Sequence, residues 1–314
     1  MFEVLTSALD FAIPILVVIF IGLFGTGVLI EMGLMQKLSR FASPVFRYTN
    51  LPDTCASSFV VSMGSTVAAN TMVVNFRDNG CITSREATLC AVMNSTPAYM
   101  REIFTYQIPI VLPALGPVVG GFYVMVFILT AIVKVTLVII LSRLLLKKNP
   151  CKFEETITDK KVSLKDAVKK ALAKNRKLFV KIAVVYLAMT TLVFYLRDRG
   201  AFEVFSVLPV AETFGIPPES IVPLTSFVAS PILGISMLGP MLSNNGISPL
   251  QAMIVLMLGS MFMLPIFSIR TLLPRYISIF GARTGIGIVT FSTGVSILVR
   301  FVVLLVLLSV ANQP

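Results

Sequence analysis

The chain holds 314 residues, 56% hydrophobic and 13% charged, with a mean hydropathy of +0.91, where a soluble domain carries roughly 25% charged residues. That balance excludes an ordinary water-soluble domain and predicts an all-α polytopic membrane protein whose first partner is the lipid bilayer. The net charge of +11 does not imply nucleic acid, because the basic residues gather in one polar stretch. With no histidine anywhere, a zinc or haem site has almost no ligands to draw on, and neither metal nor cofactor is expected.

In chain order, the first apolar window is Phe11 to Ile30, near the ~20 residues that cross the hydrocarbon. No basic residue precedes it and no small-residue cleavage site clearly follows, so a signal peptide is not expected. Pro52 to Arg77 carries Gly64-Ser65-Thr66 at its middle; it reads as one span or, with basic residues near both ends, as a helical hairpin entering and leaving from one side. Thr83-x-x-Glu86 is a capping box, and the helix it starts is expected to break at Asn94-Ser95-Thr96-Pro97. A charge-free Pro113 to Pro117 corner leads into the span Val118 to Leu141, which carries Lys134 at mid-depth.

From Lys147 to Lys181 twelve Lys/Arg face four acidic residues, the signature of a cytoplasmic loop. Ser163 to Lys177 within it is expected to form an amphipathic interfacial helix beside anionic lipid headgroups. The span Leu178 to Leu196 follows, then a second hairpin segment, Pro217 to Asn245, with Ser230-Pro231 and Gly234 at its middle. Ser248-x-x-Gln251 is a second capping box, its helix interrupted at Gly259-Ser260 and Pro265, and Ile286 to Val310 is a last span carrying Arg300. Cys55, Cys81, Cys90 and Cys151 show no CxxC spacing, and no disulfide framework is expected.

These segments repeat. Shifted by 165 residues, Pro52 falls on Pro217, Ser65 on Ser230, and the box at Thr83 on the box at Ser248. After the first span Lys37, Arg40 and Arg47 dominate; after its counterpart Arg197 and Arg199 are outnumbered by Asp198, Glu203, Glu212 and Glu219. The same position is basic in one copy and acidic in the other, as inverted topology requires. The expected architecture is two inverted-topology repeats, 1–146 and 178–314, joined by a basic linker, 147–177. Each repeat would contain a full span, a re-entrant hairpin, a broken span and a final span. N- and C-termini would lie outside and the linker in the cytoplasm.

Broken helices at repeat-related depths are the usual materials of a midplane site. The candidate substrate-binding set is Ser62, Gly64, Ser65, Thr66, Asn70, Asn94, Ser95 and Thr96 in the first half, with Ser230, Gly234, Ser236 and Ser260 in the second. The first half is the more polar, so a small polar solute or ion is expected to bind mainly there. Lys134 and Arg300, with Arg101, Glu102 and Arg270, are intramembrane charges that need partners, and Glu31, Glu102 and freed carbonyls are the available acceptors. Glu102 is adjacent to Arg101 and would neutralise it. Gly25 and Gly27, or Gly285 and Gly287, suit close helix packing within a protomer or in a homo-oligomer.

Ser62-Met-Gly-Ser-Thr-Val-Ala-Ala-Asn-Thr, followed after the Arg77 to Gly80 turn by a helix ending Asn94-Ser-Thr-Pro-Ala-Tyr, resembles the nucleoside-recognition or Gate domain. That domain is shared by concentrative nucleoside transporters, spore maturation proteins and the membrane part of FeoB-type ferrous-iron transporters. The resemblance spans roughly 15–145 and 180–310. FeoB-like proteins carry Gly-Cys-x-x-Pro at the hairpin tip and Ser-Cys at the later break; here Ser65, Ala68 and Ser95-Thr96 stand there, and no GxxxxGK[ST] loop is present. The resemblance implies a transporter-like inverted-repeat fold without the thiols of an iron site. A secondary transporter is the first expectation and a non-transporting assembly or regulatory protein the second. No HExxH or GxSxG occurs, and an enzyme is not expected.

Overall fold

Without water to satisfy it, a backbone within a bilayer closes its hydrogen bonds inside helices, and the chain does so with helices separated by single-residue interruptions. A computed structural model describes residues 46–78, 80–148, 163–199 and 214–311, with isolated positions before residue 30. The expected first span, the acidic stretch 200–213 and residues 149–162 of the linker therefore lie outside or largely outside the described residues. All regular elements among the described residues are helical, and three helical stretches are long and apolar enough to cross a membrane: Ser84–Leu145, Pro249–Phe267 and Ala282–Ala311.

Helix α1 (Asp53–Gly64) and helix α2 (Thr66–Asp78) are separated by Ser65 alone, which adopts φ −149° and ψ 109°. Ser65 keeps its backbone N–H on Val61 O at 2.9 Å while its own carbonyl accepts from Ala69 N at 3.0 Å. The two helices fold back on each other as a hairpin: Ser58 on one and Asn70 on the other both reach Asn94. Helix α3 (Ser84–Glu102) starts on the expected capping box, with Thr83 N donating to Glu86 Oε2 at 2.6 Å and Glu86 N donating to Thr83 Oγ1 at 3.3 Å. A π-helical segment, Ile103–Val111, carries it into helix α4 (Leu112–Leu145).

The expected break at Asn94 to Pro97 does not occur. Pro97 lies inside α3, because its fixed φ suits a helix and only one hydrogen bond is lost. The Ser95 hydroxyl donates to Val92 O at 2.7 Å and that of Thr105 to Arg101 O at 2.9 Å, so side chains satisfy carbonyls along this stretch. The irregularity falls later, in the π-helical turns and at Gly116. That glycine has φ 76° and ψ 173°, a conformation side-chain-bearing residues rarely adopt. There the chain doubles back, since Tyr99 before the corner meets Phe127 and Lys134 beyond it.

Helix α5 (Leu164–Asp198) joins the expected amphipathic segment and the following span in one continuous helix, with Ala167 and Ala171 buried and Leu164, Lys165, Lys169 and Lys170 exposed. The second half then repeats the interruptions of the first. Helices α6 (Ile221–Ala229) and α7 (Pro231–Ser243) are parted by Ser230 at φ −157° and ψ 120°. Helix α8 (Pro249–Phe267) starts on the Ser248 to Gln251 box and runs unbroken through Gly259, Ser260 and Pro265, again without the expected interruption. A π-helical segment (Ser268–Leu272), helix α9 (Leu273–Phe280), a corner at Gly281 (φ 82°, ψ 164°) and helix α10 (Ala282–Ala311) complete it. Each landmark lies 165 residues after its counterpart, Ser65 to Ser230 and Gly116 to Gly281 included.

The core interlocks the halves. Val119, Tyr123, Val126 and Phe127 of α4 join the second hairpin's Phe227, Met237 and Leu238 in one apolar cluster, while Tyr276, Phe280 and Ile288 join Phe59, Phe76 and Val92 beneath the first hairpin. Contrary to the expectation from spacing, Cys55 on α1 and Cys90 on α3 form a disulfide, because the hairpin lies flat against α3 and brings two positions 35 residues apart to a Cα separation of 5.9 Å. Gly285 packs inside the chain, where an added Cβ would lie 2.7 Å from Tyr276 and Ile277 backbone.

At the centre of the second hairpin Phe227 fills space left by Gly234 and Gly259, whose added Cβ atoms would lie 2.4 Å and 2.9 Å from it. Gly259→Ala is therefore expected to destabilise the protein by about 1–3 kcal/mol through overpacking, and Phe227→Leu in the same chain should recover part of that loss. Thermal unfolding of the two single variants and the double variant in detergent measures the coupling.

Candidate functional site

Two buried polar clusters lie where the helices meet, and the sequence-derived residues divide between them. In the first, Asn94 on α3 is wholly buried; its Nδ2 donates to Ser58 Oγ at 3.2 Å and to Asn70 Oδ1 at 3.4 Å. The cluster ties both arms of the first hairpin to α3. Ser62 and Ser95 stand nearby in sequence but donate to carbonyls of their own helices, Phe59 O at 2.6 Å and Val92 O at 2.7 Å. Gly64 and Ser65 are exposed at the interruption and Thr66 is half-buried. Arg101 Nη1 donates to Gly64 O at 2.9 Å, placing a cation on the carbonyl end of α1, the end that favours positive charge.

The second cluster joins the two halves. Lys134 on α4 is 2% exposed, and its Nζ donates to Tyr99 Oη at 3.1 Å and Ser292 Oγ at 2.7 Å, lying 4.6 Å from the centre of the Tyr99 ring. Arg300 on α10 is also 2% exposed; Nε donates to Ser260 Oγ at 3.1 Å and Nη1 to Ser296 O at 3.0 Å, with Phe127 under the guanidinium at 5.2 Å. Tyr99 Oη and Ser296 Oγ share a hydrogen bond of 2.8 Å, closing a path from one cation to the other. A basic residue at the bilayer centre costs at least roughly 2.5–3.5 kcal/mol. Here hydroxyls, one carbonyl and two aromatic faces offset that cost, the last through cation–π attraction.

No carboxylate among the described residues pairs with either cation. Glu102 is exposed and does not bridge to Arg101, which turns to Gly64 instead; Glu31 lies outside the described residues. Arg101 and Glu102 form no direct ion pair, because the helix-end carbonyl takes the guanidinium, but their charges still interact. The side chain of Arg270 is outside the description, although its backbone lies in the second π-helical segment. Ser260 both donates to Met257 O at 3.0 Å and accepts from Arg300, whereas Ser236 is spent on Ile232 O at 2.7 Å. Ser230 holds the second interruption, and Gly234 makes room for Phe227.

A third feature was not anticipated. Gln107, in the first π-helical segment, is fully buried, and neither its Oε1 nor its Nε2 has a hydrogen-bond partner. Tyr106 Oη and Thr96 Oγ1 are likewise buried and unpartnered. A buried amide left unpaired costs about 1–3 kcal/mol or more, and π-helical turns often mark functional positions. The available signal was one amide, beside Thr105 and Tyr106, in the mostly apolar run Ile103 to Leu112.

Apolar spans around a buried polar centre define a polytopic helical membrane protein. Residues 12–118 match the Gate family, described as nucleoside recognition, so the resemblance carried by Ser62 to Thr71 and Asn94 to Tyr99 is shown for that part of the chain. Almost the whole chain is similar to three uncharacterized proteins of Methanocaldococcus jannaschii. One is 28% identical over 306 residues, 96% of this chain and 95% of the relative. The others are 23% identical over 291 residues (92% and 90%) and 21% identical over 292 residues (92% and 94%). No solved structure matches.

Asn94→Ala should destabilise the protein by about 1–3 kcal/mol by stranding the Asn70 amide and leaving Ser58 only its bond to Cys55 O. Ser236→Ala, which removes only a bond within its own helix, should stay within about 0.5 kcal/mol. Paired thermal unfolding curves in nanodiscs separate the two.

Proposed function

We propose that the protein is a secondary transporter of a small polar solute, with its site among Thr96, Tyr106 and Gln107, close in sequence to the Arg101 that caps the Ser65 hairpin. The observation that carries this reading is the fully buried Gln107 amide with no protein partner on either atom. A solute that enters the first half supplies the missing hydrogen bonds, and the Gate match over residues 12–118 supports a transporter-like chain.

In this reading the two halves are inverted repeats and the Ser65 and Ser230 hairpins are re-entrant. The basic stretch from Lys147 to Lys181 is cytoplasmic and both termini are outside. The interrupted hairpins would move against the α4 and α10 scaffold. Arg101, holding Gly64 O, would couple the tip of the first hairpin to α3 and so to the π-helical turns beside Gln107.

Gln107→Leu tests the proposal because it removes an unpartnered amide without breaking a hydrogen bond. The variant should melt at or above the temperature of the parent. Its uptake of the transported solute into proteoliposomes should fall at least about tenfold, a loss of roughly 1.4 kcal/mol. Uptake is to be screened over nucleosides, organic anions and metal ions. A folded, monodisperse parent that accumulates no member of these classes contradicts transport and favours a non-transporting assembly role.

A further inference from the structure

Within the three spanning stretches, the only acidic residues are Glu86 and Glu102, whereas Lys134 and Arg300 are buried at the contact between the halves. Glu86 is committed to the capping box of α3, and Glu102 is exposed and bridges neither cation. The centre therefore holds two buried cations and their hydroxyl partners, with one carboxylate, Glu102, in electrostatic reach of both but bonded to neither, and is net positive.

We infer that the Lys134 and Arg300 centre binds the oxyanion group of a small anionic solute, a carboxylate or a phosphate. This goes beyond the transport reading by assigning an anion site separate from Thr96, Tyr106 and Gln107, and it rests on that reading only for the movement of what is bound. Three observations carry it. Neither cation has an ion-pair partner among the described residues, and Lys134 keeps a third ammonium N–H that no hydrogen bond there uses, whereas Arg300 is also hydrogen-bonded to the Tyr123 hydroxyl. The two are linked through Tyr99 and Ser296, the Tyr99 hydroxyl lying 2.8 Å from Ser296 Oγ and the Ser296 hydroxyl donating on to Ser292 O at 2.8 Å. One cation and its hydroxyls come from each side of the contact: Lys134 and Tyr99 from α4 and α3, Arg300, Ser292 and Ser296 from α10.

The chemistry of the pair suits such a group. A guanidinium presents planar parallel donors to two oxygens, and an ammonium adds a point charge without fixed geometry. One carboxylate, Glu102, offsets at most one of the charges, so a neutral solute would leave the centre net positive. Because the site lies on the contact between the halves, binding would also hold those halves together, which makes stabilisation a direct readout.

The test uses the full chain in nanodiscs with succinate, inorganic phosphate and the neutral analogue succinamide at matched ionic strength. Succinate or phosphate at millimolar concentration should raise the melting temperature by several degrees, and succinamide should not. The apparent affinity should fall at least about tenfold in Arg300→Gln and recover in part in Arg300→Lys. Should Arg300→Gln not fold, Lys134→Met and Ser292→Ala, each read as a ligand-induced shift against its own unliganded baseline, take its place. Stabilisation by neither anion, an equal shift with succinamide, or shifts unchanged in these variants would overturn the inference. Uptake of a neutral solute without anion stabilisation leaves transport standing and overturns the anion site. Arg300-dependent stabilisation together with no accumulation of any screened class supports the site and contradicts transport.

Discussion

The centre of this molecule is organised by the cost of burying two cations inside an apolar helical bundle. Lys134 and Arg300 cannot reach water, so the protein surrounds them with Tyr99, Ser260, Ser292 and Ser296 and with the faces of Tyr99 and Phe127. Those groups come from α3, α4, α8 and α10, two helices from each half. Satisfying the charges therefore fixes how the halves meet. The apolar clusters act in the same direction, since each hairpin is covered partly by side chains from the opposite half. Separating the halves would expose apolar surface and strand both cations at once.

Function is to be sought where the two halves differ. Ser62, Ala69 and Asn94 of the first half correspond to Phe227, Gly234 and Gly259 of the second, 165 residues on. In the first half an amide and a hydroxyl join the hairpin to α3. In the second a phenyl ring fills the same region, and two glycines lack the side chains that would collide with it. One hairpin is thus polar at its middle and the other is packed shut. The unpartnered Gln107, Tyr106 and Thr96 all belong to the polar half, whereas the cationic centre draws on both.

The sequence revealed those features that depend on local chemistry. Both capping boxes form because Thr83 with Glu86, and Ser248 with Gln251, need only three residues of spacing to satisfy each other. The Ser65 and Ser230 interruptions were visible from Gly and Pro neighbours and from their repetition. The breaks expected at Pro97 and Pro265 were misplaced because a proline is tolerated once its φ fits the helix, and the real corners needed the positive φ of Gly116 and Gly281. The Cys55 to Cys90 disulfide was illegible, since it depends on how the hairpin lies against α3. Lys134 and Arg300 were identified as charges needing partners, but serine and tyrosine partners on neighbouring helices, Ser292 from the opposite half among them, leave no periodic trace.

The most direct measurement is the melting temperature of Ser292→Asp, which places a carboxylate at the position whose oxygen now lies 2.7 Å from Lys134 Nζ. If the centre is net cationic, the built-in anion raises the melting temperature of the unliganded protein and abolishes further stabilisation by succinate or phosphate. If Lys134 and Arg300 are already neutralised, the added charge is itself unpaired. The variant would then melt well below the parent, and that result would contradict the account.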